Sequence, residues 1–205
     1  GHARDYDLWR QQGVSGWSFA DVLPYFKRAE ANARGGDAFH GGDGPLVVSD
    51  AGHDHNLFDA FVAAGVEAGY PANPDFNGAE QEGFGRYQFT IRNARRWSAA
   101  AAYLRPALSR PNLTVETGAL TLEIVFEGER AVGVHYVQGG HQATALADRE
   151  VILSGGVVNS PQLLMLSGIG PADDLKRLGI EPILDRADVG RNLQDHFCVH
   201  TVHAS

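Results

Sequence analysis

Between Arg149 and Gly170 the chain reads Arg-Glu-Val-Ile-Leu-Ser-Gly-Gly-Val-Val-Asn-Ser-Pro-Gln-Leu-Leu-Met-Leu-Ser-Gly-Ile-Gly, and this run restricts the fold more than any other. Val151, Ile152 and Leu153 are consecutive β-formers, the pattern of a short strand buried on both faces of a parallel sheet. Ser154, Gly155 and Gly156 then offer almost no side chain, so the backbone there is able to approach a ligand or another segment closely. A helix is predicted next, with Ser160 as N-cap, Pro161 at the first helical position, an apolar side at Leu163, Leu164 and Leu166, and an end at Gly168 and Gly170. A strand, a glycine turn and a helix N-terminus together favour an anion such as a phosphate. The same pattern serves plain packing of helix on sheet in many α/β proteins, so it needs support from other residues.

Composition bounds the alternatives. The chain has 205 residues, 43% of them hydrophobic, enough for one sizeable core or a core with a smaller lobe. Lys plus Arg number 17 against 25 acids, a formal net charge of -8, which speaks against nucleic acid as a partner because phosphate backbones demand a basic surface. The single cysteine, Cys198, has no internal disulfide partner, and cytoplasmic residence is the plain expectation. No stretch approaches the length of a transmembrane helix, and the start Gly-His-Ala-Arg-Asp has neither a signal-peptide layout nor an initiating Met.

In chain order, residues 1 to 33 are expected to be helical, with Ser18 and Asp21 as a capping box and Pro24 as a kink or restart. Gly35 to Gly44 reads as a surface loop; Gly41-Gly42-Asp43-Gly44 lacks the spacing of a dinucleotide fingerprint. Residues 56 to 68 form a second helix, its aromatics assigned to the core, and Tyr87, Phe89 and Ile91 alternate as on a half-buried strand. Arg92, Arg95 and Arg96 beside Trp97 are read as a solvated turn before a helix capped by Ser98, in preference to an anion site. Leu113 to Glu116 is a predicted strand. Leu122-Ile124-Phe126 and Val132-Val134-Tyr136 form a hairpin through Glu127 to Arg130, and a third strand runs up to Leu146. The organisation that follows is a helical, lobe-forming part over residues 1–110 and a strand-rich part over 111–205.

Nine histidines raise the question of a metal. His53 and His55 are two apart, and in an extended tail His196, Cys198 and His200 share one face with His203 on the other. A metal site usually needs further ligands from elsewhere and a second shell, so none is expected.

The residues around the glycine turn carry a resemblance. Gly156, Ser160, Pro161, Leu164, Met165, Ser167, Gly168, Ile169 and Gly170 resemble the second signature of the glucose-methanol-choline (GMC) oxidoreductases. Val189-Gly190-Arg191-Asn192-Leu193-Gln194-Asp195-His196 is similar to that family's Val-Gly-x-Asn-Leu-Gln-Asp-His block. Trp17-Ser18, Leu23-Pro24-Tyr25-Phe26, Gly83-Phe84-Gly85, Arg96-Trp97-Ser98 and Arg110-Pro111-Asn112-Leu113-Thr114-Val115 look like landmarks of its choline-dehydrogenase-like branch. The resemblance implies an α/β fold, part of a doubly wound FAD-binding domain with an attached α+β substrate-lobe segment. It implies FAD as cofactor, a small-molecule alcohol as substrate, and an electron acceptor that the sequence does not name. The cofactor-binding residues would be Ser154, Gly155 and Gly156 in the turn, with Thr121, after Thr117-Gly118, meeting the adenine through its main chain.

Two family features are missing. No Gly-x-Gly-x-x-Gly turn occurs, and the catalytic histidine with its His or Asn partner would fall beyond Ser205, so no catalytic residue is assigned and His196 is not that base. The chain is expected to be an internal segment, inactive by itself. Cys198 is the substrate-pocket candidate. It stands where choline-recognising members carry a glutamate facing the trimethylammonium group, which points away from choline and towards another primary or secondary alcohol. The rival readings are a non-catalytic relic or interaction domain of the same fold and a serine hydrolase, and the latter lacks Gly-x-Ser-x-Gly around Ser160 or Ser167.

Overall fold

A computed structural model describes residues 2–52 and 55–201. The chain divides into two compact units, Gly1–Thr114 and Val115–Ser205.

The first unit opens with two capped helices. His2 and Asp5 cap α1 (Ala3–Gln11) reciprocally, and Ser18 and Asp21 do the same for α2 (Phe19–Ala29), as the sequence predicts. In that box the Asp21 amide donates to Ser18 Oγ at 3.3 Å and the Ser18 amide to Asp21 Oδ2 at 3.0 Å, which satisfies donors that a helix start leaves unpaired. Pro24 neither breaks nor restarts the helix; it lies inside α2, which runs on to Ala29. Helix ends earlier than expected, however. At Glu30 the backbone becomes extended, and β1 (Glu30–Asn32) pairs in parallel with β2 (Leu46–Asp50), which pairs antiparallel with β3 (Gln88–Phe89). Ladder partners many residues away override the local helical pattern here.

The segment Gly35–Gly44 is irregular and mostly exposed, as a surface loop should be, but it dips into the interior at one point. His40 and Gly41 are buried. A Cβ on Gly41 would fall 1.7 Å from the Lys27 carbonyl oxygen, and one on Gly44 2.4 Å from the Ala29 carbonyl carbon, so these glycines let two backbones pack directly.

In α3 (Asn56–Glu67) the buried point is Gly65, where a Cβ would meet the Phe84 ring at 2.3 Å. Phe58 and Phe61 stay about half exposed rather than entering a core. β4 (Ile91–Arg92) and β5 (Arg95–Arg96) form a tight hairpin whose turn residues Asn93 and Ala94 both have positive φ, 51° and 57°. The basic cluster is therefore this hairpin, with Arg92 stacked 4.8 Å from the Trp97 ring centre. A π-helical stretch, Ala100–Leu104, follows and passes into α4 (Arg105–Ala107), with Ser98 Oγ accepting from the Ala101 amide.

The second unit is built on an antiparallel sheet of order β6-β7-β8, comprising β6 (Ala119–Glu127), β7 (Arg130–Gln138) and β8 (His141–Leu146). This is the predicted hairpin with its third strand; Ile124 and Val132 point into the core as alternation requires. Two expected strands do not form. Leu113 to Glu116 and Val151 to Leu153 have no ladder partner among the described residues, and Ile152 is 75% exposed. β-branched composition makes a strand only where a second backbone supplies the hydrogen bonds. Beyond the glycine turn come α5 (Gly156–Leu166), β9 (Ile169–Gly170), α6 (Ala172–Arg177) and β10 (Leu184–Asp185), which pairs in parallel with β9. Leu175 on α6, 1% exposed, is the best-buried large side chain described.

Ser167 ties the sheet to the helix. Its Oγ accepts the Ile124 amide of β6 at 2.8 Å and donates to the Leu163 carbonyl of α5 at 2.6 Å. Ser167→Ala strips a buried amide of its only side-chain acceptor, and a loss of about 1–3 kcal/mol is expected. Urea unfolding should show this as a lowered midpoint at unchanged slope; an unchanged midpoint would mean that the Ile124 amide finds another partner.

Candidate functional site

In the second unit β6, the residues before the glycine turn and the first turns of α5 enclose a cleft of about 630 Å³. Thr121, Ser154 and Gly155 all line it, together with Asn159 and Ser160, so three of the four residues assigned to a cofactor from sequence share one wall system. Gly156 adjoins the cleft as the first residue of α5 and is not among its lining residues.

Each wall has a local cause. Thr121 lies on β6, the outer strand of its sheet, and the register between β6 and β7 shifts between Thr121 and Glu123. A bulge of that kind turns backbone groups out of the ladder and is typical of strand ends beside binding sites. On the other wall the chain turns sharply at Gly156, whose φ of +84° lies in the left-handed region that an L side chain rarely adopts. A Cβ there would meet nothing within 4 Å, so the backbone at this corner faces open space. Gly155 is tighter, its would-be Cβ lying 3.1 Å from Asn159 Cβ.

The helix start differs from the sequence expectation. Ser160 is not the N-cap and Pro161 is not the first helical residue; both lie within α5, which begins four residues earlier at Gly156. The left-handed glycine, rather than the Ser-Pro pair, sets the start. Ser160 Oγ instead accepts the Gly155 amide at 3.0 Å, which folds the turn back onto the helix. Among the described residues no side chain caps α5, so its first amides point outward with the positive end of the helix dipole. The arrangement can hold the phosphate side of a nucleotide at the turn and offer main-chain groups of β6 to a base.

Cys198 is not brought to this cleft. It is exposed in the irregular run after Asp188–Arg191, with its Sγ 3.6 Å from His200 Nε2. His196 is exposed in the same run, and among the described residues no group of three His, Cys, Asp or Glu is placed to hold a metal ion. His53 and His203, the other members of the histidine pairs, lie outside the described residues. Ser167, considered as a nucleophile, has its hydroxyl committed to Ile124 and Leu163, with no base bonded to it among the described residues. The feature that sequence reading missed is His40, buried between two carboxylates in the first unit. Its partners Glu30 and Asp75 stand at no recognisable spacing from it, so only the fold reveals them.

Comparisons with known proteins agree with one another. The family model described as GMC oxidoreductase matches residues 1–198. The chain is 53% identical over 204 residues to human choline dehydrogenase, mitochondrial, covering all of this chain and 34% of that protein. It is 54% identical over 200 residues to the oxygen-dependent choline dehydrogenase of Brucella anthropi, covering 98% of this chain and 36% of that protein. Among solved structures, pyridoxine 4-oxidase from Mesorbium loti matches with a TM-score of 0.82 at 33% identity over 92% of this chain and 37% of that one. Aspergillus oryzae formate oxidase, a protein whose FAD modification has been studied by mutation, matches with a TM-score of 0.85 at 31% identity over 96% of this chain and 35% of that one. The chain thus spans about a third of the length of the curated relatives it matches.

Proposed function

Because the chain belongs to the GMC oxidoreductase family, we propose that it is part of a flavin-dependent enzyme that oxidises a primary or secondary alcohol, and that the cleft beside β6 and α5 receives the adenine end of FAD. The observation that carries this reading is the convergence of an outer, bulged strand at Thr121 with an uncapped helix behind a glycine turn on one cleft. In it the main chain of Thr121 meets the adenine edge, and the backbone of Ser154, Gly155 and Gly156 lies against the adjoining sugar and phosphate, where amides and helix dipole favour an anion. FAD, when bound, supplies the hydride acceptor for turning the alcohol into an aldehyde or ketone. The residues of this chain bind and orient; the proton-accepting base is assigned to a residue outside it. The partition into a lobe segment over 1–110 and a cofactor-domain portion over 111–205 is part of the same proposal.

The substrate reading rests on Cys198. A thiol lacks the negative charge that a trimethylammonium group requires, so a neutral alcohol is favoured over the choline named in the relatives. No helix among the described residues is long and apolar enough to cross a membrane. Cytoplasmic residence stays with the proposal and is decided by fractionation, the human relative being mitochondrial by name.

The test begins with the reading frame on both sides of this sequence. The expected frame carries a Gly-x-Gly-x-x-Gly turn upstream and a histidine with a His or Asn partner downstream. Its product should purify with stoichiometric flavin and turn over a neutral alcohol faster than choline, whereas the 205-residue chain alone should retain none. A product that neither holds nor binds FAD would sink the proposal in favour of a relic or interaction domain. Choline turned over as well as neutral alcohols would remove the inference from Cys198 alone.

A further inference from the structure

His40 is 6% exposed, and both of its ring nitrogens face carboxylates. Nδ1 lies 3.0 Å from each oxygen of Glu30, and Nε2 lies 2.9 Å from Asp75 Oδ2. A neutral imidazole has a single N–H, so one of these contacts would then set a lone pair against an anion; only the imidazolium donates to both. The carboxylates are otherwise satisfied: Glu30 accepts the Gly41 amide at 3.1 Å and Asn32 Nδ2 at 3.0 Å, and Asp75 Oδ1 accepts the Asn77 amide at 3.0 Å. One buried ring thus joins the end of α2, the glycine loop and the turn at Asp75, three segments with no ladder between the last two.

We infer that His40 is an alkaline-sensitive latch: as the imidazolium it holds the glycine loop against Glu30 and Asp75, and loss of its proton releases the His40–Gly41 end of that loop. Burial opposes the charge, but the hydrogen bonds to Glu30 and Asp75 outweigh it and raise the His40 pKa above the ordinary histidine value. A cation whose folded pKa is raised contributes stability that is complete below the unfolded pKa and lost as pH rises through the folded one. Deprotonation leaves Glu30 and Asp75 as two anions on either side of a neutral ring.

The other charged groups packed around the ring do not follow it. Asp37 accepts the amides of Phe39 and His40 at 2.7 Å, which holds its carboxyl below the usual range. Lys27 donates to the carbonyls of Asp37 and Ala38, and Arg34 pairs with Asp50 at 2.6 Å while donating to the Pro74 carbonyl at 2.7 Å. The hydrogen bond to Asp50 holds the Arg34 guanidinium above its ordinary value, so this side of the assembly stays anchored and the release is confined to the segment around His40. That segment matters because Phe39 and Asn77, next to His40 and two residues from Asp75, together with Glu30 itself, are walls of a cavity of about 230 Å³ whose other walls are aromatic and aliphatic side chains, Tyr6, Phe26 and Leu46 among them.

Imidazole ¹⁵N spectra of the protein that contains this chain, recorded with amide hydrogen exchange from pH 6 to 10, test the latch. Both nitrogens of His40 should be protonated at neutral pH, and the proton should leave above the ordinary histidine value. Through the same step the Gly41 amide, which donates to Glu30, and the Asn32 amide, which donates to the Gly41 carbonyl, should lose protection severalfold after correction for intrinsic rate, while the amides of β6–β8 hold theirs. His40→Gln keeps one donor and should abolish the pH step. A neutral ring at pH 7, protection that ignores the titration, or a step that persists in His40→Gln would each overturn the inference. Should the variant not fold, the wild-type titration alone decides.

Discussion

Gly41→Ala is expected to prevent the first unit from folding as described. The added methyl would sit 1.7 Å from the Lys27 carbonyl oxygen and 2.7 Å from that of Glu30. Both are backbone atoms, one in the last turn of α2 and one at the start of β1, so no rotamer change relieves the clash. Overpacking a core with side chains costs about 1–3 kcal/mol. Here the helix end and the strand must separate, and the loss should reach a large part of the roughly 5–15 kcal/mol that a domain commands. All three tryptophans, Trp9, Trp17 and Trp97, belong to this unit, so their fluorescence reports on it directly. Gly52→Ala is the matched control, since a Cβ there meets nothing within 4 Å and the backbone is not left-handed; it should stay within about 0.5 kcal/mol of the parent. Native emission and an unshifted melting curve for Gly41→Ala would show that the loop does not pack against α2 in this way.

Gly156→Val, made in the flavoprotein that contains this chain, should weaken FAD binding by an order of magnitude or more, at least about 1.4 kcal/mol. Left-handed φ at an L residue costs roughly 1–2 kcal/mol, and a β-branched side chain suffers most. The valine would also project into the open space beside the cleft, where the backbone is proposed to approach the cofactor. Thr121→Ala separates the two walls. Its proposed contact is through the main chain, so flavin affinity should change little. Equal affinity for the Gly156 variant and the parent, measured by flavin fluorescence at matched folded fraction, would detach the turn from the cofactor.

What could be read in the sequence was whatever depends on near neighbours or on a long shared motif. The Ser18–Asp21 cap needs only three intervening bonds of helix, and the β6–β7 hairpin declares itself by alternation on both sides of a tight turn at Gly128. The motif residues around Ser160 and Asn192 pointed to the family that the comparisons establish. Where contacts are distant the reading failed. Val151 to Leu153 has strand composition but no partner backbone among the described residues, and β1 is drawn out of a helical pattern by Leu46 to Val48. The start of α5 turned on the sign of φ at Gly156, which residue identity permits without specifying. His40 gave no signal because its meaning lies in Glu30 and Asp75, and Gly41 looked like loop filler because a missing side chain does not announce what it makes room for. Residues 121, 154 and 155, named from the sequence for the cofactor, line one cleft, while Cys198, named for a substrate pocket, stands in an exposed run.

The Ser167 hydroxyl, the tie between β6 and α5, bears on the affinity of the proposed cofactor cleft as well. Thr121 stands three residues before Ile124 on the same strand, and Gly156 opens the same helix that Ser167 closes. One hydroxyl thus fixes the strand wall and the helix wall of the cleft as a single frame before any ligand arrives. A preformed frame gives up little conformational entropy on binding. Loosening it makes each binding event reassemble the site, so a substitution at 167, which touches no ligand, would register as lost affinity with unchanged contacts.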